Sequence, residues 1–195
     1  MTDSRKNIEA FQHAISMLKF GSVDLAVKKL ELLSKEGDGH ADGVLGLIYE
    51  FGAGDIHPNI SKALLFYEES VVKSSSADSW MAIGRITLSG PEMVRDYSRA
   101  FECFSFLAEN SNCASAWLAL GNINFQGLGR RRNLDTAEAC FLNAVAFGNL
   151  LGYPGLARVA LSRGRIVESL KYRIIGALKA VREPDGSDAL KQWAI

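Results

Sequence analysis

The sequence is poor in the residues that characterise several common classes of small protein. Three cysteines among 195 residues cannot build a disulfide framework, and such a low number is typical of a reducing compartment. Basic and acidic residues number 22 each, so no overall charge draws the chain to nucleic acid. Hydrophobic residues make up 48% and charged residues 23%, a balance that excludes a disordered or collagen-like protein.

The chain also lacks the apolar segments that export or anchor a protein. Residues 1–7 are polar and lead directly into an amphipathic pattern, without the apolar core of a signal peptide. Residues 139–157 carry no charge over a length close to that of a membrane span. However, Gly148, Gly152, Pro154 and Gly155 favour a turn between two short helices there. We therefore expect a cytoplasmic protein without a membrane span.

What the sequence does contain is an internal repeat of 37 residues. Four alanines recur at this interval, and four glycines recur at intervals of 38, 37 and 37 residues: Ala26, Ala63, Ala100 and Ala137, and Gly52, Gly90, Gly127 and Gly164. Each copy is interpreted as two helices. In the third copy, residues 114–126 are apolar at helical spacing and stop at a glycine, and Asn133 or Asp135 can cap the next helix.

The pattern Ala41-x3-Leu45-Gly46-x2-Tyr49-x2-Gly52-x-Gly54, followed by Ala63-x2-Phe66-Tyr67, resembles the Sel1-like repeat, a relative of the tetratricopeptide repeat. The resemblance covers roughly residues 22–180 and weakens in the fourth copy, where Arg158 replaces the mid-helix glycine. It implies a bacterial source and an all-α, right-handed α/α solenoid of about nine or ten helices. It also implies a protein that binds other proteins.

The repeat divides the chain into an N-terminal cap, four copies and a C-terminal segment. We place the capping helix in residues 1–21, the copies at about 22–58, 59–95, 96–132 and 133–182, and a tail or lid in residues 183–195. The tail follows the helix breaker Pro184-Asp185-Gly186 and bears Leu190, Trp193 and Ile195. It is either a lid over the exposed end of the array or a docking segment.

Few side chains suggest catalysis or metal binding. No two of His13, His40 and His57 share a helical turn, and none has a cysteine nearby to complete a metal pair. Cys103 and Cys140 occupy the same repeat position, which indicates core packing. There is no phosphate-binding glycine loop, and no Ser/His/Asp or paired-carboxylate arrangement stands out from the background. We expect no metal, no cofactor and no enzymatic activity.

Comparison of the copies with one another predicts a binding face. Positions equivalent to Leu45 and Ile48 stay apolar and are assigned to the core. Three other positions vary in chemistry but share one helical face, which by resemblance lines a concave groove. The alternative is that neighbouring helices bury this face. The groove residues we select are Leu47, Met81, Arg85, Leu88, Leu118, Asn122, Phe125 and Val159.

A second candidate site is the basic loop Arg130-Arg131-Arg132, in a region from 130 to 182 that holds 10 basic and 3 acidic residues. The loop is either simply solvated or attracts an anionic patch on a partner. No aromatic platform accompanies it, so nucleic acid is not the expected ligand.

The predicted function is that of a monomeric cytoplasmic scaffold or adaptor that holds a partner protein or peptide in its groove. One alternative is an immunity-type protein that neutralises a cognate toxin. An alternative from another class is a cell-wall or glycan-binding protein or a hydrolase. Some secreted Sel1-like proteins have been linked to such ligands, but they carry a cysteine pair in every repeat, which this chain lacks.

Overall fold

The structure, a computed structural model, describes residues 2–182 and contains ten α-helices and no β-strand within them. The predicted tail at 183–195 lies outside the described residues. The helices are α1 (Thr2–Lys19), α2 (Val23–Lys35), α3 (Gly39–Phe51), α4 (Ile60–Ser74), α5 (Ala77–Ser89), α6 (Tyr97–Ser111), α7 (Ala114–Gln126), α8 (Leu134–Ala146), α9 (Gly152–Ser162) and α10 (Ile166–Arg182). The prediction of an all-α chain with nine or ten helices is confirmed.

The 37-residue repeat appears in the structure as a recurring set of helix ends. Asn59, Asp96 and Asn133 each accept a hydrogen bond from a backbone N–H in the first turn of the following helix. Asn133, rather than Asp135, is therefore the cap that the sequence left open. The glycines of the repeat mark the other helix ends. Gly127, for example, takes a positive φ of 75° at the end of α7.

Glycines in α3 and α7 allow close contact with an aromatic ring on the following helix. A Cβ atom added to Gly46 would lie 2.6 Å from the Tyr67 ring, and one added to Gly121 would lie 2.5 Å from the Phe141 ring. Glycine in a helix interior costs about 1 kcal/mol relative to alanine. The close contact between α3 and α4, and between α7 and α8, offsets that cost by burying the two rings.

The helices form two compact units, which meet in sequence between Arg95 and Asp96. Unit 1 contains α1–α5 and has a core built around Leu30, Leu45 and Ile48. Unit 2 contains α6–α10 and has a core that includes Phe141 and Leu156. The positions that we assigned to the core from their constant apolar character are largely buried, as expected.

The uncharged stretch at 139–157 is divided as predicted. The end of α8, a turn over residues 147–151 and the start of α9 occupy it. Among the described residues, no helix combines the length and apolar character required to span a membrane.

Candidate partner-binding site

Unit 1 contains a pocket of about 410 Å³, which we call the unit 1 pocket. Helices α1, α3, α4 and α5 contribute its walls. Three of the predicted groove residues, Leu47, Met81 and Arg85, line it. The other lining residues are Phe11, His40, Gly43, Val44, Phe51, Tyr67, Ser70, Ser76, Asp78, Ser79 and Ala82. The fourth groove residue predicted in this unit, Leu88, is half-buried and does not line the pocket.

The wall of the pocket combines exposed apolar side chains with a polar rim. Leu47 is 50% exposed and Phe51 is 66% exposed, at successive turns of α3. On α5, Met81 is half-buried, and Asp78 is an exposed residue in the first turn. These features make the pocket suitable for an apolar group because its accessible surface includes large hydrocarbon side chains.

A buried carboxylate compensates the arginine at the edge of this pocket. Glu50 is 7% exposed and accepts a hydrogen bond of 2.8 Å from the Tyr67 hydroxyl. The Arg85 guanidinium forms an ion pair with the same carboxylate. Burial, together with the hydrogen bond to Glu50, raises the pKa of the Tyr67 hydroxyl, so Tyr67 is neutral and acts as a donor. The charge of Arg85 is therefore largely satisfied within the protein.

In unit 2, the predicted groove residues are more closely integrated with the core. Leu118 and Phe125 are partly buried and pack against the core that contains Phe141. Asn122 accepts a hydrogen bond of 2.6 Å from Nη2 of Arg158. For this part of the variable face, the structure favours the alternative in which neighbouring helices cover it.

Val159 is fully buried, and we therefore remove it from the candidate site. The physical reason is the close approach of α9 to the Phe141 ring. Gly155, one turn before Val159, packs so tightly on that ring that a Cβ atom there would overlap it. This contact draws the whole face of α9 into the core of unit 2, where Val159 packs with Tyr153.

The three arginines of the basic loop have different surroundings. The Arg130 guanidinium carbon lies 3.3 Å from the centroid of the Phe101 ring, a cation–π contact. Arg132 donates from Nε to the carbonyl oxygen of Phe125 at 2.9 Å and lies over the ring of the same residue. Arg131 is exposed. The loop is thus partly ordered by contacts with aromatic side chains, which its sequence alone did not indicate.

The cysteines and histidines form no reactive cluster within residues 2–182. Cys103 and Cys140 are buried, and burial raises the pKa of each thiol to about 11. This environment agrees with the core-packing interpretation. His13 is hydrogen-bonded to Lys29, and His40 lies at the rim of the unit 1 pocket. No group of three potential metal ligands occurs in the described part of the chain.

Sequence reasoning missed two residues that shape these surfaces. Glu50 occupies one of the variable repeat positions, where the other copies have Leu88, Phe125 and Ser162. It is the one carboxylate among these four residues, but we did not select it for the groove. Arg158 was treated only as a departure from the repeat, because it stands where the first three copies have glycine. In both cases, the signal was a charge at a position where the other copies have none.

No protein-family model matches the chain, and no curated protein matches it. Several solved structures are similar to it. A Sel1 repeat protein from Oxalobacter formigenes superposes with a TM-score of 0.68 at 20% identity, over 88% of this chain and 68% of that one. The protein c5321, a protective antigen present in uropathogenic Escherichia coli strains that displays an SLR fold, gives a TM-score of 0.68 at 22% identity. The match to c5321 covers 86% of this chain but 38% of the other.

A structure of MamA is also similar, with a TM-score of 0.64 at 18% identity over 90% of this chain and 92% of MamA. Sequence identities at this level establish the fold and leave function to be argued from the sites. The repeat motifs and the superpositions agree on the same architecture: the chain has the fold of the Sel1-like repeat proteins.

Proposed function

We propose that this protein is a cytoplasmic scaffold or adaptor that binds a partner polypeptide through the unit 1 pocket. The observation that carries the proposal is the convergence of the variable repeat positions, at Leu47, Met81 and Arg85, on one cavity of about 410 Å³. A cavity of this size is within the range of ligand sites. In a purely structural face, we would expect these positions to be filled by neighbouring side chains.

The chemistry of the pocket favours an apolar anchor on the partner. Leu47 and Phe51 expose hydrocarbon that a partner would remove from water, which stabilises a complex by about 25 cal/mol for each Å² buried. Because Glu50 pairs with Arg85, the pocket presents no strong uncompensated positive charge at that edge. An amphipathic helix or an extended segment with one or two large apolar side chains would fit such a site.

Binding rather than catalysis is also what the described chemistry supports. Burial raises the pKa of the Cys103 and Cys140 thiols, so they lack the lowered pKa of an activated nucleophile. The three free cysteines are compatible with the cytoplasmic location that we propose.

The test is affinity purification of the tagged protein from its own host, with quantitative mass spectrometry of the captured proteins. Leu47→Asp places a charge in the pocket, and we expect it to reduce the captured partner at least tenfold. Leu65→Asp is the matched control because Leu65 is 62% exposed on α4 and does not line the pocket. Circular dichroism of both variants checks that the helical content is unchanged.

Equal retention of the partner by Leu47→Asp and Leu65→Asp would contradict the pocket as the binding site. Equal loss from both folded variants would also contradict it, since the effect would then not depend on the pocket. A single partner at one-to-one stoichiometry and very high affinity would favour the immunity-type alternative over a general adaptor.

A further inference from the structure

Two arginines in unit 2 converge on one aromatic side chain, and we call them the arginine pair. The guanidinium carbon of Arg132 lies 4.9 Å from the centroid of the Phe125 ring, and that of Arg158 lies 5.0 Å from it. Arg132 comes from the loop before α8, whereas Arg158 comes from α9. The fold therefore brings both guanidinium groups to the same ring, although 26 residues separate the two arginines in the sequence.

Neutral groups, rather than carboxylates, hold both guanidinium groups in position. Arg158 donates to the amide oxygen of Asn122 at 2.6 Å. Arg132 donates to the carbonyl oxygen of Phe125 at 2.9 Å and to the Ser162 hydroxyl at 3.1 Å. Each arginine has five N–H donors, so these bonds orient the side chains and leave further donors on both.

The acidic residues between 130 and 182 form ion pairs with arginines outside the arginine pair. Between residues 130 and 182 there are three, Asp135, Glu138 and Glu168. Asp135 and Glu138 pair with Arg163, and Glu168 pairs with Arg165. Within the described residues, no carboxylate forms an ion pair with either member of the arginine pair. In the part of the chain that the structure describes, the two charges thus have no carboxylate partner.

Arg158 is exposed, but part of its guanidinium group lies against aromatic rings instead of water. Its guanidinium carbon lies 5.8 Å from the Phe141 ring centroid in addition to its contact with Phe125. Partial burial of the group lowers the pKa of Arg158. A guanidinium group stays protonated at neutral pH even so. Because the neighbouring rings are less polar than water, an anion bound beside them would interact more strongly with Arg158 than with an arginine that has no such contact.

We propose that the arginine pair and the Phe125 ring form a binding site for a carboxylate carried by a partner polypeptide. The planar fork of a guanidinium group matches a carboxylate in two parallel hydrogen bonds. The Phe125 ring, which is partly buried, contacts both guanidinium groups and so helps to position them. The proposal rests on the proposed function only in taking a polypeptide as the ligand, and its site is distinct from the unit 1 pocket.

The experiment uses the full chain and an array of random 12-residue peptides synthesised in four sets. The first set has a free carboxyl terminus, and the second has a C-terminal amide. The third set has the C-terminal amide and, in addition, Asn and Gln in place of Asp and Glu. The fourth set is amidated and carries phosphoserine in place of Asp and Glu. We expect binding only in sets that retain a carboxylate, which are the first alone or the first and the second. Loss on amidation identifies the terminal carboxylate, whereas loss only in the third set identifies an acidic side chain.

The strongest peptide is then measured in solution by fluorescence anisotropy against four variants. We expect Arg158→Gln and Arg132→Gln each to weaken binding about tenfold or more, because each removes a charge-assisted hydrogen bond. Arg158→Lys keeps the charge without the fork and should retain part of the affinity. Arg131→Gln is the matched control in the same loop and should change affinity less than twofold.

A coupling measurement separates direct contact from a general electrostatic effect. Replacing the carboxylate of the peptide by its amide should cost about tenfold with the wild-type protein but less than threefold with Arg158→Gln. Leu47→Asp in the unit 1 pocket should leave this binding unchanged, so failure of the proposed function and failure of this site are distinguishable.

The proposal is overturned if the array shows no preference for carboxylate peptides, or if only the phosphoserine set binds. It is also overturned if the preference persists at full strength in Arg158→Gln and Arg132→Gln. If Arg158→Gln fails to fold, the comparison of Arg158→Lys with Arg131→Gln decides the question: equal affinities in these two variants would overturn the proposal.

Discussion

Two arginines, one in each unit, have guanidinium groups close to aromatic rings but differ in how their charge is compensated. In unit 1, Arg85 lies 6.0 Å from the Phe51 ring centroid and is paired with the buried carboxylate of Glu50. In unit 2, Arg158 lies over Phe125 and is hydrogen-bonded to the neutral side chain of Asn122. The first arrangement stabilises the fold, while the second leaves a charge available to a ligand.

This difference shows why a repeat fold can carry different sites on equivalent helices. Small residues maintain the packing of a helix pair in each unit, as Gly46 does in unit 1 and Gly121 does in unit 2. The exposed positions are free to change as long as no charge is buried alone.

The largest effect that we expect concerns the ion pair between Arg85 and Glu50 in unit 1. Glu50→Ala removes the acceptor of the buried Tyr67 hydroxyl and the partner of Arg85, and it leaves a cavity. We expect the free energy of unfolding to fall by about 3 kcal/mol. Urea denaturation followed by circular dichroism measures it.

Glu50→Gln is the control for the carboxylate itself. It retains an oxygen that can accept from Tyr67 and fills the same volume, so we expect roughly half of the loss seen with alanine. Equal stability of Glu50→Ala and the wild type would mean that the buried cluster does not stabilise unit 1.

A smaller effect compares the two arginines directly. Arg85→Gln leaves Glu50 buried without its cation, and we expect it to lower the free energy of unfolding by about 2 kcal/mol. Arg158→Gln leaves no carboxylate behind, so we expect a loss of less than about 1 kcal/mol. Both variants are measured by the same urea denaturation. A greater loss for Arg158→Gln than for Arg85→Gln would reverse our assignment of structural and binding roles.

The fold was predictable from the sequence because its determinants are local and recur. A glycine that must accept a ring, such as Gly46 against Tyr67, and a cap such as Asn133 are visible as repeated residues at a fixed interval. Their physical role depends on one or two neighbouring helices, which the repeat places in the same way in every copy.

The candidate site was predictable only in part. The exposure of a side chain depends on how its helix packs, and comparing equivalent positions of the repeat does not reveal that packing. Leu47 and Arg85 were placed on an accessible face, and they do line a pocket. Val159 has the same position in its helix but is buried, since Gly155 brings α9 against Phe141. The charge balance of Arg158 also could not be read from its own helix, because it depends on where three distant carboxylates pair.

The smallest expected effect concerns unit 2, which contains all three cysteines. At pH 8, a thiol with a pKa of about 11 is only about one part in a thousand thiolate, so Cys103 and Cys140 should resist alkylation in the folded protein. Raising the pH toward 11 increases the thiolate fraction and should increase the rate, while burial still limits access. Cys113, which is only half-buried, should react first.

Alkylation with iodoacetamide, read by peptide mass spectrometry, therefore tests whether the arginine pair supports the core of unit 2. We expect Arg158→Gln to leave the protection of Cys103 and Cys140 within twofold of the wild type, because a ligand-binding charge can be removed without opening the helices. Gly121→Val is the positive control, since its side chain would overlap the Phe141 ring and loosen the unit. Strong labelling of Cys140 in folded Arg158→Gln would instead make Arg158 a structural residue, as Arg85 is in unit 1.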